Sequence, residues 1–372
     1  MASATARSTE LRMFLDTTRK FAEAQASTTQ LRTWWREGQG LDRPWWRQVT
    51  ELGWTSLLVP EEHGGGSLTG EALLDLFALT EILGELAVPG PTNVLNSVLA
   101  ALVHPKAQPG VDVRWLSELM AGERVATWAH PPATSLSAQP GRDGLLLNGT
   151  ALAVEFGAHA DLVLVRAATQ ERPVLVLIDT HAPGVTVRPT QSIDPARPFA
   201  DLAVNDGRGT LVAQGPDVEP IVARLQQVLN VLQVAETVGG SGRVLDLATQ
   251  WAFERYSFGR PLASYQALKH RYADLATHQH AARAIALRAA RAVQDTEADA
   301  ALLVSAAKSY VGEVSLEIMQ DCAQLLGGLS QTMEHDLHLY LRRAMLARQT
   351  YGTPYEHRQV VASLLLDREA AA

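Results

Sequence analysis

The stretch ERYSFGRPLASYQALKHRYADLA, Glu254 to Ala276, joins two long segments of helical texture through a cluster of glycine and proline. Arg255 is suited to a pyrophosphate, because a guanidinium presents a permanent charge and a fork of donors matched to phosphate oxygens. Phe258 lies three residues on and is expected on roughly the same helical face. Gly259 and Pro261 then end that helix, and Gln266 offers an amide that both donates and accepts. Taken alone, Arg255 reads more readily as a solvated surface arginine.

Outward from this stretch, the chain from about Pro216 onward is rich in Ala, Leu and Arg with few breakers, and three or four of its helical segments exceed twenty residues. That is a helical bundle. Upstream, from about Val125 to Ala213, short apolar runs such as GLLLNGTALAV, ADLVLVRAA and PVLVLID alternate with Gly, Pro, Asp and Asn, the texture of a small β-domain. The first third returns to helices: ELRMFLDTTRKFAEAQ sets Leu11, Phe14, Leu15 and Phe21 roughly on one stripe, and EALLDLFALTEILGEL repeats apolar residues at helical spacing. Pro60 to Gly66, with three consecutive glycines, is a turn-rich loop. The expected architecture is α+β in three segments: an N-terminal helical domain (1–123), a small central β-domain (124–215) and a C-terminal helical bundle (216–372).

The 372 residues are 47% apolar and 19% charged, enough for a sizeable core, and the net charge is −8. No basic face beyond the short Lys269–Arg271 run argues for nucleic acid. The single cysteine, Cys322, sits among Met319, Leu325 and Leu326 and reads as a buried small hydrophobe, without a disulfide framework. The N-terminus MASATARSTELRMF lacks the apolar core of a targeting segment, and no run reaches a membrane span, so a cytoplasmic chain is expected. His335 and His338 lack a third metal ligand, and His278 and His280 are two apart on a helix, so no metal site is expected. Ser241 between Gly240 and Gly242 sits in a helix with no strand before it, which argues against a nucleophile elbow.

A second C-terminal segment, QLLGGLSQTMEHDLHLYLRRA from Gln324 to Ala344, together with the opening stretch resembles the two signature segments of the acyl-CoA dehydrogenases. LGWTSLLVPEEHGGG, GLLLNGTALAVEFGAHADLVLVRA and IDPARPFADLAV carry the likeness through nearly the whole chain, in order. The resemblance implies a flavoenzyme built as helical domain, β-domain and helical domain. It implies FAD held by Arg255, Phe258 and Gln266 in one subunit, with Gln324, Gly327 and Gly328 helping across an interface and Thr353 near the cofactor, while Trp128 either covers the flavin or belongs to the core. It also implies an oligomer, of this chain or with an unlike acyl-CoA dehydrogenase subunit, an acyl thioester substrate and an electron-accepting flavoprotein.

One position departs from the family. In many members the substrate α-proton is taken by the glutamate of a Glu-Gly-Thr turn that follows an Arg-Asp-Ala helix by six residues. Here Arg342, Arg343 and Ala344 are followed by six residues and then Tyr351-Gly352-Thr353, so Tyr351 stands where that glutamate is expected. A phenol with a reference pKa of about 10 is about 0.1% ionised at pH 7 and is a poor default base. Other members carry the base on the long helix before the Arg-x-x-Phe-Gly segment, a position that falls at about Leu229 here. Glu236, about two turns along that helix, is the nearest alternative carboxylate. The β-domain also lacks the family's Thr-Glu-Pro…Gly-Ser-Asp wording and offers TWAHPPATSLSAQPG, Thr127 to Gly141.

The resemblance is to the actinobacterial branch, in which some chains work as paired unlike subunits. Three readings follow from it: an FAD-dependent desaturase of acyl thioesters, alone or in a mixed complex; a base-deficient partner subunit; or a flavin-fold enzyme of specialised metabolism acting on a carrier-bound or non-thioester substrate.

Overall fold

The computed structural model describes residues 9–37, 40–108, 113–131, 134–141 and 144–371. The first eight residues, on which the reading of the N-terminus partly rests, and Pro132 and Ala133 of the Thr127–Gly141 segment lie outside them. Helices α1 (Thr9–Gln25), α2 (Thr28–Arg36), α3 (Arg43–Glu51), α4 (Ala72–Glu85), α5 (Thr92–Leu102) and α6 (Val113–Met120) precede the strands. Strands β1 (Ala126–Ala129), β2 (Thr134–Gly141), β3 (Gly144–Glu155), β4 (Leu162–Ala168), β5 (Pro173–Asp179), β6 (Val185–Thr190) and β7 (Phe199–Gln214) follow. Helices α7 (Val218–Glu254), α8 (Gln266–Gln294), α9 (Ala300–Leu326), α10 (Leu337–Gln349) and α11 (Pro354–Ala371) complete the chain, with the two-residue strands β8 (Tyr256–Ser257) and β9 (Arg260–Pro261) between α7 and α8. The helical, β, helical order is the one the sequence predicts. No helix among the described residues is long and apolar enough to cross a membrane.

The chain forms two compact units. Thr29–Leu76 and Pro89–Leu229 make the body of one, and Arg12–Thr28, Phe77–Val88 and the chain from Asn230 onward make the other.

In the first unit the strands close on themselves. β4 pairs with β5, β5 with β7, β7 with β3 and β3 with β2, and Ser137 of β2 bridges Ala168 of β4, while β1 lies parallel beside β4 and β6 pairs with β7. Closure leaves few exposed edges. Val163, Val165 and Ala167 of β4 and Val174, Val176 and Ile178 of β5 alternate into a shared apolar core with Leu136, Leu147 and Leu202. Each such Val, Leu or Ile contributes about 1.5–3 kcal/mol by leaving water. The wholly buried α5 packs on β1. The tryptophan-rich segment beside it is core as well: Asp42 caps α3 by accepting from the Trp45 amide at 2.8 Å, and Trp45 stands edge-on to Trp34 and Trp54.

In the second unit, α4 and α7 cross at backbone contact. A Cβ on Gly84 would sit 2.0 Å from the Glu236 carbonyl oxygen, and one on Gly239 would sit 1.9 Å from that of Glu81, so only glycine allows the crossing. α9 packs against α8, α10 and α11. Arg271 of α8 pairs with Asp321 of α9, which brings the start of α8 beside the end of α9. Ser241 lies inside α7 with its hydroxyl 2.7 Å from the Gln279 amide oxygen, a bond between helices.

Candidate active site

The helix expected to carry Arg255 ends one residue before it. α7 stops at Glu254, and the chain turns through the β8–β9 hairpin, with Phe258 at the tip in left-handed conformation (φ 48°) and 98% exposed. The expected shared helical face for Arg255 and Phe258 is therefore corrected. Gly259, also at positive φ, completes a tight turn that a helix cannot enter, and Leu262 donates its amide back to the Arg255 carbonyl at 2.9 Å. Arg260 stacks its guanidinium 3.9 Å over the Tyr265 ring, which braces the hairpin.

Gln266 opens α8 and Gln324 lies in the last turn of α9, and the Arg271–Asp321 pair puts both at one end of that helix pair. Gly327 terminates α9 at φ 66°, and a Cβ on Gly327 or Gly328 would meet nothing within 4 Å. Arg255, Gln266 and Gln324 are exposed and make no side-chain hydrogen bond or ion pair among the described residues. A permanent cation and two amides without such a bond among the described residues lie with two glycines that have open space before them. That donor set fits a phosphate-bearing, ring-bearing cofactor.

The Tyr351 turn lies in the same unit. α10 ends at Gln349, and Tyr351 takes the left-handed conformation (φ 59°) followed by Gly352 at φ 105°. Thr353 and Glu356 form a reciprocal cap at the start of α11: the Thr353 amide and hydroxyl each donate to a Glu356 carboxylate oxygen at 2.8 Å, and the Glu356 amide donates to the Thr353 hydroxyl at 3.2 Å. Thr353 is thus engaged by its helix. Tyr351 is held half-buried on a left-handed residue, a conformation uncommon outside glycine and costly to keep without support.

Glu236 is 5% exposed, with Oε1 3.4 Å from the guanidinium of Arg343, which is 8% exposed and also donates to the Val88 carbonyl at 2.8 Å. A buried carboxylate beside a buried guanidinium is a structural charge pair. Trp128 is wholly buried in β1, with its indole N–H left without a partner, so its ring has no open face for a ligand. Leu229 is buried at 1% exposure. Among the described residues, no three His, Cys, Asp or Glu side chains gather as a metal site.

Sequence reasoning missed the groups that support the turn: Gln233, Lys308 and His357. Lys308 is 3% exposed and donates to the Gln233 amide oxygen and, at 2.7 Å, to the Ala347 carbonyl. A signal was present, because Lys308 falls at i+4 from Val304 and i−3 from Val311, both buried on the apolar stripe of α9. His357 carried no comparable mark.

The profile described as acyl-CoA dehydrogenase, N-terminal domain, matches residues 8–123, and that described as acyl-CoA dehydrogenase, C-terminal domain, matches residues 228–366. The acyl-CoA dehydrogenase IpdE2 of Mycobacterium tuberculosis is 30% identical over 353 residues, which covers 93% of this chain and 94% of that protein. A solved variant of the Tcur3481-Tcur3483 steroid ACAD superposes with a TM-score of 0.86 at 25% identity, over 97% of this chain and 99% of that one. The ChsE4-ChsE5 complex from Mycobacterium tuberculosis gives a TM-score of 0.86 at 23% identity, over 96% and 98% of the two chains.

Proposed function

The chain belongs to the acyl-CoA dehydrogenase family, and from that premise we propose that it is a subunit whose flavin site is intact but whose α-proton base is replaced by Tyr351. The family consists of FAD-dependent oxidoreductases that dehydrogenate acyl-CoA. When bound, FAD supplies the acceptor for the substrate's β-hydrogen. This chain's own residues do the rest of the work assigned here. Arg255 would neutralise the pyrophosphate and Gln266 would hydrogen-bond the cofactor, while Gln324 and the open backbone at Gly327 and Gly328 would complete the neighbouring subunit's site. Tyr351 would stand at the thioester α-carbon in place of the carboxylate, with a hydroxyl that does not take the α-proton.

The observation that carries this reading is the built turn at Tyr351. α10, the left-handed Tyr351, Gly352 and the Thr353–Glu356 cap form a complete turn. It presents a phenol at the offset from Ala344 where the family resemblance calls for a carboxylate. Glu236 is not the substitute, because its charge is committed to Arg343. An unlike subunit of the same family is the natural source of the missing carboxylate, a reading supported by the paired name of the Tcur3481-Tcur3483 relative. The test is to purify the chain alone and with a co-expressed unlike subunit, and to record flavin bleaching by acyl-CoA thioesters without oxygen. Bleaching only in the mixed complex supports the proposal; full activity of this chain alone overturns it.

A further inference from the structure

His357 sits beneath the Tyr351 turn and has no part in the chemistry above. It is 8% exposed, and its Nε2 lies 3.2 Å from the Tyr351 carbonyl oxygen. A carbonyl only accepts, so Nε2 carries the proton, and Nδ1, buried without a partner, is the bare nitrogen. Burial, and after it the charge of Lys308, pushes the imidazole down to about 4, so it is neutral at physiological pH and this tautomer persists. Gly352 leaves room for the ring: a Cβ there would stand 2.5 Å from His357 Nε2. The residue before the tyrosine is tied from another side, since Gln233 donates from Nε2 to the Thr350 hydroxyl at 2.6 Å, and Lys308 holds both Gln233 and the Ala347 carbonyl at the end of α10.

We propose that His357 is a positioning residue for Tyr351, its Nε2–H holding the carbonyl of the left-handed residue and so fixing where the phenol points. Lys308 and Gln233 anchor the helix end from which that residue departs. The arrangement explains how a tyrosine is kept at positive φ, where its side chain would otherwise rotate the turn toward a commoner conformation. It also explains why the residue between Tyr351 and the helix cap is glycine. The catalytic consequence rests on the reading of Tyr351 as the group at the base position; the conformational claim stands apart from it.

Two measurements separate these claims. First, 3-fluorotyrosine is placed at position 351 of the full-length flavoprotein and its fluorine NMR signal is recorded in the parent, His357→Gln and His357→Leu. Glutamine keeps an Nε2–H donor of similar reach and leucine does not. The proposal expects one sharp resonance in the parent and His357→Gln, and a shifted or split resonance in His357→Leu; an unchanged single resonance in His357→Leu overturns it. Second, the same two changes are made in the Tyr351→Glu background and kcat and KM are measured. His357→Leu should cost about 10²-fold in kcat with little change in KM, as expected for a reacting group displaced by about 1 Å, and His357→Gln should restore most of the loss. Equal loss in both variants, tracking melting temperature, assigns His357 to general stability and overturns the proposal. If Tyr351→Glu has no activity, the fluorine result alone decides the positioning claim, and the failure belongs to the functional reading.

Discussion

Glu236 and Arg343 form a buried charge pair, 3.4 Å apart, in which the guanidinium also holds the Val88 carbonyl at 2.8 Å. One arginine of α10 thereby ties the middle of α7 to the segment that follows α4. The pair lies one turn from Gly239, where α4 and α7 touch backbone to backbone. Its neighbourhood is structural, and its carboxylate is spoken for.

Glu236→Gln is accordingly expected to destabilise the fold by about 3 kcal/mol, the cost of breaking a buried charge pair. Flavin content per folded chain should not change. Denaturant unfolding beside flavin absorbance checks both parts. A variant of parent stability that loses catalysis would return Glu236 to the position of base.

The imidazole of His357 gives a pH signature. Its folded pKa lies at about 4, below an unfolded value near 6.5, so the unfolded chain binds the extra proton between those two values. Stability from this group is therefore fully present above about pH 6.5, falls as pH drops through the window, and levels off below about 4. The amplitude is of the order of 3 kcal/mol. His357→Gln should flatten that part of the stability curve between pH 4 and 6.5. Lys308 of α9 and Glu356 of α11 act on the same ring with opposite signs, so Glu356→Gln should deepen the fall.

Arg255 and Gln266 separate by charge. Arg255→Ala removes a permanent cation from the site assigned to the pyrophosphate and should weaken FAD binding about 30-fold, the equivalent of about 2 kcal/mol for a charge-assisted contact. Gln266→Ala should do less, because a neutral hydrogen bond is worth less. Both variants should keep the oligomeric state of the parent, since both side chains are exposed and make no side-chain hydrogen bond or ion pair among the described residues. Flavin-to-protein ratio after gel filtration measures both effects; an unchanged ratio in Arg255→Ala removes it from the site.

Much of this was legible in the sequence because periodicity and breakers report local structure directly. The short apolar run ADLVLVRAA marked a strand, and the Ala- and Leu-rich runs with few breakers marked α7, α8 and α9. The hairpin at Phe258 was misread as a helical continuation because spacing alone cannot say that α7 stops at Glu254. What decides it is the pair of left-handed residues Phe258 and Gly259. Strand closure through the Ser137–Ala168 bridge was not legible, since register between distant strands is set by tertiary packing. The support of Tyr351 was hidden for a similar reason: Gln233, Lys308 and His357 come from three helices far apart in sequence. Only Lys308, a charge on an apolar stripe, left a trace in its own segment.

The central claim, that Tyr351 occupies the place of the α-proton base, is tested most directly by Tyr351→Glu in the purified flavoprotein. The measurement is the rate of flavin bleaching by a panel of acyl-CoA thioesters, without oxygen, compared with the parent and with Tyr351→Phe. A restored carboxylate should raise the rate by about 10² to 10⁴, the usual worth of a general base, and Tyr351→Phe should leave the low parent rate where it is. No gain in Tyr351→Glu, with a parent activity that Tyr351→Phe abolishes, would show the phenol itself at work and contradict the account.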